Sequence, residues 1–135
     1  MVSGYSGTPL GRKLSLKSGM RVWRDDMPLS VDREIAQENL DLQILTSPEF
    51  PIDAAHVFVT SRAELQSKIP ALLPLLAPSG FLWVSWPKKA SKAPTDVTED
   101  TIREIALPIG LVDVKVCAVD ETWSGLKLMR RKTAR

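Results

Sequence analysis

Apolar and polar positions change period several times along this chain, and each change marks an element. Leu65, Ile69, Leu72 and Leu76 recur at intervals of three and four, the spacing of one helical face. The preceding Ser61-Arg62-Ala63-Glu64 is a capping box, in which the Ser61 and Glu64 side chains satisfy two free backbone N–H groups reciprocally. Pro70 and Pro74 each remove an internal hydrogen bond, so this helix is predicted to kink or split, and Pro78-Ser79-Gly80 to end it. Residues 81–86 are apolar on both faces apart from Ser85, the pattern of a central strand covered by helices. Thr98 is predicted to cap a further helix, with Glu99 and Asp100 in the first turn where the macrodipole favours them. Ile102, Ile105 and Ile109 then face inward, and Gly110 stops the helix. Beyond it Val112, Val114, Val116 and Ala118 alternate with Asp113, Lys115 and Cys117, a strand with one drier face. A turn over 120–125 and a return over 126–129 make this a hairpin.

The first half is weaker in pattern. Thr8 is the expected N-cap of a short helix with Pro9 at its first position, Leu10 and Leu14 on its apolar side, and Lys17-Ser18-Gly19 at its end. Residues 20–23 read as a strand, 31–40 as a helix with Ser30 as candidate cap, and 42–45 and 57–60 as short strands rich in β-branched residues. Strand, helix, strand, strand, helix, strand, helix, hairpin predicts an α/β domain. Its mostly parallel, mixed sheet of six strands should run in the order 2-1-3-4-6-5, with the last strand antiparallel.

Composition narrows the class without naming a function. The 135 residues are 44% hydrophobic and 25% charged, a globular balance that fits one domain over 1–135. No apolar run approaches the roughly 20 residues of a membrane span, and the Gly- and Ser-containing first ten residues lack the core of a signal peptide. A lone cysteine, Cys117, cannot form an internal disulfide, so the expected location is cytoplasmic. The net charge of +2 argues against nucleic acid as a partner. Of the two basic clusters, Lys88, Lys89 and Lys92 adjoin a strand end. Arg130, Arg131, Lys132 and Arg135 are expected to keep the last strand solvated.

Two resemblances follow. The order of elements, with Leu16-Lys17-Ser18-Gly19-Met20-Arg21-Val22 before the first strand and Pro78-Ser79-Gly80-Phe81-Leu82-Trp83-Val84 before a central one, resembles the Rossmann-like fold of S-adenosylmethionine-dependent methyltransferases. It implies a compact three-layer sandwich. That fold places a glycine-rich turn after its first strand so that backbone can approach the cofactor. Here Arg24-Asp25-Asp26-Met27-Pro28 stands in its place, which reads as the frame without the cofactor site, and no cofactor is expected. The second resemblance is to an uncharacterised bacterial family, domain of unknown function 3052. It rests on Tyr5-Ser6-Gly7-Thr8-Pro9-Leu10, on Trp83-Val84-Ser85-Trp86-Pro87-Lys88-Lys89, and on Asp113-Val114-Lys115-Val116-Cys117-Ala118-Val119-Asp120-Glu121-Thr122-Trp123-Ser124-Gly125-Leu126-Lys127. This resemblance implies relatives and no mechanism.

Candidate chemistry is sparse. His56, the only histidine, is expected at the start of its strand, the edge away from where open parallel sheets bind ligands, and so in a structural role. Cys117 has Lys115 on its strand face but no base, and neither a nucleophilic triad nor a metal site can be assembled. Gly80 and Gly110 are expected at helix ends or turns before strands, with positive φ as their reason. Trp83 is expected in the core. Open sheets bind at the carboxyl ends of their strands, and that edge collects Arg62, Trp86, Lys88, Lys89, Asp120, Glu121, Trp123 and Ser124 as candidate ligand-binding residues. They would suit a small polar or anionic ligand; equally, Asp120 and Glu121 could pair with the lysines and shape the turn. The leading reading is a non-catalytic small-ligand-binding or regulatory module using this cleft. The alternative is a small group-transfer enzyme of methyltransferase-like fold with an atypical cosubstrate site. Whether the chain is an enzyme stays open, as do its catalytic residues and oligomeric state.

Overall fold

A computed structural model describes residues 7–132. Tyr5, Ser6 and the rest of the segment 1–6 lie outside the described residues, as does 133–135 with Arg135 of the basic tail. Short helix α1 (Leu10–Lys13) precedes β1 (Arg21–Asp25), α2 (Leu29–Ala36), β2 (Gln43–Ile44) and β3 (Ile52–Phe58). Then come α3 (Arg62–Leu72), β4 (Leu76–Pro87), α4 (Glu99–Ala106), β5 (Leu111–Ala118) and β6 (Trp123–Arg130). The strands form one sheet in the order β2-β1-β3-β4-β6-β5, as the alternation of elements predicts. β2, β1, β3 and β4 are parallel neighbours, and β6 is antiparallel to both β4 and β5.

Lateral partners share a face of a sheet. Val22, Ala54 and Phe81 mark a first face, and Trp23, Ala55 and Leu82 a second. On the first face Leu10, Leu14, Val31 and Ile35 bring α1 and α2 onto Phe58, Phe81 and Trp83. On the second, Leu65, Ile69, Ile102 and Ala106 bring α3 and α4 onto Val57, Val84, Leu126 and Leu128. The result is a three-layer Rossmann-like α/β sandwich, each large buried side chain contributing about 1.5–3 kcal/mol.

The α3 capping box forms as expected: Glu64 N–H donates to Ser61 Oγ at 3.2 Å, and Ser61 N–H to Glu64 Oε1 at 3.2 Å. Pro70 stays inside α3, while Pro74 falls in a single 3-10 turn, Leu73–Leu75, so the segment splits there. Thr98 caps α4, with Thr101 closing its box. Gly110 follows a 3-10 turn at φ 100°, a left-handed conformation that a side chain resists.

Several expectations are corrected. Pro9, not Thr8, is the N-cap of α1, which stops at Lys13 well before Gly19, and Pro28 rather than Ser30 precedes α2. The 78–80 segment lies within β4, in an irregularity where pairing jumps from Leu76 to Phe81 opposite Ile52 and Ala54. Gly80 is needed there for close approach rather than for positive φ, since a Cβ would stand 2.6 Å from the Ile52 carbonyl oxygen. The drier face of β5 is not its valines: Val114 and Val116 are each 49% exposed, and Ile109 is exposed too. A register shift between Asp113 and Lys115 explains this, because it inserts Val114 without a partner and breaks the alternation. Arg130 is only partly exposed to solvent. Its guanidinium reaches the carbonyl oxygens of Leu73, Leu76 and Ala77 at 2.5, 3.0 and 2.9 Å, tying β6 to the end of α3.

Candidate functional site

His56 lies in the middle of β3, not at its start, because the strand begins at Ile52. Its side chain is on the first face, stacked on Phe58 at 4.4 Å, with Nε2 2.7 Å from Ser85 Oγ. Burial, helped by the positive charge of Arg24, pushes its pKa down to about 3, so it is neutral near pH 7. Arg24, paired with His56 across the β1–β3 ladder, bonds Asp32 at the start of α2. Among the described residues its Nε is the one buried side-chain nitrogen or oxygen with no hydrogen-bond partner. Trp83 is in the core, its indole N–H donating to the Leu14 carbonyl at 2.9 Å. Arg24, His56 and Trp83 border a void of about 10 Å³ with Leu14, Leu16 and Met27, the room of one water. This buried polar cluster escaped the sequence reading, since it joins residues far apart in the chain and Ala54 and Ala55 hide the strand around His56.

The carboxyl edge is assembled by a direct link. Pro87 pairs with Trp123, and Lys88 N–H donates to the Thr122 carbonyl at 2.8 Å. The segment after β4 and the 120–125 turn therefore lie side by side. Asp120 shapes that turn, its Oδ1 accepting the N–H groups of Thr122 and Trp123, both at 2.8 Å. Trp123 is half-buried on the first face, edge-on to Phe58 at 5.1 Å. Glu121 is exposed, and Ser124 sits opposite Trp86 on the second face.

The candidates thus divide between two sides of the edge. Trp86 is 8% exposed and packs in the core below α3 and α4. With Lys89, Thr98, Glu99, Asp100 and Arg103 it borders a groove of about 400 Å³. The Arg103 there is enclosed by Glu99, Asp100 and Asp113. Arg62 is engaged elsewhere, its guanidinium bonding Glu104 at 2.8 Å and its N–H Asp96 at 2.8 Å. Cys117 is partly buried on the first face; burial pushes its thiol pKa up against the pull of Lys13, Lys115 and Lys88, so it is no thiolate at neutral pH. Among the described residues no group of His, Cys, Asp or Glu converges as metal ligands, and no helix is long and apolar enough to cross a membrane.

The turn after β1 bears on whether a nucleotide-type cofactor would fit. Asp25 is held by Lys68 at 3.0 Å, Asp26 takes φ 58°, and Met27 and Pro28 follow. Every position carries a side chain where close backbone approach would need glycine. The adjoining void is far too small for a cofactor. The residues present do not fit S-adenosylmethionine in that place.

No family model matches the chain, and no curated protein matches it. Solved structures do. The precorrin-6y C5,15-methyltransferase of Geobacter metallireducens GS-15 aligns with a TM-score of 0.59 at 13% identity, over 90% of this chain and 86% of that one. The magnesium protoporphyrin IX methyltransferase ChlM of Synechocystis PCC 6803, solved with bound SAM, gives 0.58 at 14% identity over 90% and 74%. TrmN of Thermus thermophilus gives 0.58 at 12% identity; there the alignment covers 90% of this chain but 47% of TrmN. At such identities the likeness establishes the fold: the chain has the Rossmann-like architecture of methyltransferases.

Proposed function

We propose that the chain is a small group-transfer domain on a methyltransferase frame. Its ligand is taken at the carboxyl edge between Lys88 and the 120–125 turn, and its cosubstrate is held by side chains rather than by a glycine turn. The observation that carries this reading is the 2.8 Å bond from Lys88 N–H to the Thr122 carbonyl. It draws Lys88, a half-buried tryptophan and a carboxylate-shaped turn to the edge where open α/β sheets bind ligands. The methyltransferase likeness favours group transfer over a passive module. The expected resemblance of both segments to domain of unknown function 3052 is matched by no family model and supplies no activity. A non-catalytic binding domain is the second reading, favoured by the neutral, buried His56 and the protonated Cys117.

The test is to extract small molecules from the purified protein, identify them by mass spectrometry, and titrate the same compounds calorimetrically into wild type, Lys88→Ala and Trp123→Ala. The reading expects a polar or anionic compound whose binding falls at least tenfold in both variants. Unchanged binding would remove the edge site. S-adenosylmethionine should leave the melting temperature within a few degrees, because a larger shift requires about 1 kcal/mol of linkage. Such a shift would return the domain to the ordinary methyltransferases.

A further inference from the structure

A buried tryptophan ordinarily sets its indole N–H on an acceptor, since a bond to water given up in a dry layer must be replaced. Trp83 does so through the Leu14 carbonyl. Trp86 does not. It is 8% exposed and packs below α3 and α4, yet its indole N–H has no acceptor among the described residues. Nor is that nitrogen sealed in, because Arg24 Nε alone among the described residues is both enclosed and without a partner. The Trp86 nitrogen therefore opens outward. The opening that Trp86 lines is the groove of about 400 Å³ on the second face, within the size range of small-molecule sites. Its walls are fixed. On one, Thr95 Oγ1 donates to the Thr60 carbonyl at 2.8 Å and Val97 is buried. On the other, the capped start of α4 presents Glu99 and Asp100, each giving one carboxylate oxygen to Arg103 and keeping its second. Lys89 lines the groove from the turn after β4, exposed and with no ion pair among the described residues. Donors thus come from the end of β4, acceptors from the start of α4.

We propose that this groove binds a free α-amino acid. Its carboxylate takes the Trp86 N–H and the Lys89 ammonium, and its ammonium takes the second oxygens of Glu99 and Asp100. A carboxylate alone would meet two like charges, and an amine alone would leave the indole N–H without an acceptor. A zwitterion satisfies both, and it suits a lining in which Lys89 and Arg103 balance Glu99 and Asp100. The sheet separates this site from the Lys88 edge, since Trp86 and Trp123 lie on opposite faces. It is tested with Lys88 and Trp123 intact, so neither site falls with the other.

The experiment follows the indole N–H signals of the nitrogen-15-labelled full chain by NMR. Trp86→Phe assigns the Trp86 signal by deleting it. Glycine, leucine, phenylalanine, glutamate and lysine are added in turn, each to about 20 mM. At least one should move the Trp86 signal saturably. The N-acetylated and amidated forms of that amino acid, which lack one charge each, should bind at least tenfold more weakly. Lys89→Gln should lose as much, and the control Lys92→Gln less than twofold, with melting temperatures checking that both variants fold. No movement of the Trp86 signal with any of the five, movement confined to the other indoles, equal binding by either blocked form, or a Lys89→Gln variant that binds like the control would each overturn the inference.

Discussion

The two faces of the sheet solve the same packing problem differently. Under α3 and α4 the core is almost wholly aliphatic: Leu65, Ile69, Leu82, Ile102, Leu126 and Leu128 are fully buried, and charges stay at the rim in pairs. Under α1 and α2 the layer admits Arg24, His56 and Ser85, and its largest side chain, Trp83, is tied by a hydrogen bond to the end of α1. A dry face is read from period alone. A mixed one depends on which polar groups find partners, and an unpaired buried group costs about 1–3 kcal/mol. The contrast teaches that the second face is held by aliphatic burial almost alone, while the polar chemistry is concentrated on the first.

The sharpest way to break this contrast is Trp83→Ala. It should cost about 3–5 kcal/mol in denaturant unfolding, because it opens a cavity and also strips the Leu14 carbonyl of its donor. A loss below about 2 kcal/mol would mean that the first face relaxes and is not an ordered core. Next comes acid. A histidine with its folded pKa lowered to about 3 disfavours the protonated native state, so its neutral form is fully compatible with folding above the unfolded value near 6.5. Stability is then lost as pH falls through 6.5 towards 3. Between pH 7 and pH 4.5 the loss from this group should be about 2–3 kcal/mol, and His56→Gln should remove that part of the pH dependence in unfolding titrations. An unchanged slope would locate the acid sensitivity in the carboxylates.

Smaller effects sharpen the second face through its helix ends. Gly110→Val forces a β-branched side chain into a left-handed backbone and should cost about 1–2 kcal/mol, read as a lower thermal midpoint. Unchanged melting would show that the turn into β5 relocates freely. Ser61→Ala deletes half of the α3 capping box and should cost about 1 kcal/mol. Glu64, whose pKa is lowered first by the Thr60 backbone N–H, should make part of that contribution disappear on acidification, since a lowered carboxyl pKa stabilises only above it.

Legibility in the sequence follows the range of the forces involved. Capping at Ser61 and Thr98, the stop at Gly110 and the strand order come from local chemistry and from connection rules, and they can be read residue by residue. The start of β3 could not, because Ile52 to Ala55 follows a turn and its small residues carry little pattern. The valines of β5 misled because a single bulged residue inverts a period-two signal. At the candidate edge, the proximity of Lys88 to the 120–125 turn followed from topology. The division of Trp86 from Trp123 between opposite faces needed the register of β4 against β6. Arg24–Asp32 and His56–Ser85 were invisible because hydrogen bonds across 8 and 29 residues leave no periodic trace.

The position of β6 has a consequence for biosynthesis. It fills the slot between β4 and β5, yet emerges from the ribosome after both. A nascent chain that has completed β5 cannot yet add it to the sheet. The edge of β4 also stays open, a ready template for another chain. The carbonyls of Leu73, Leu76 and Ala77 wait for Arg130, more than 50 residues later, before they gain their donor. Closure of the sheet therefore waits for β6, and a ribosome stalled between β5 and β6 would expose an unpaired sheet edge to chaperones and proteases.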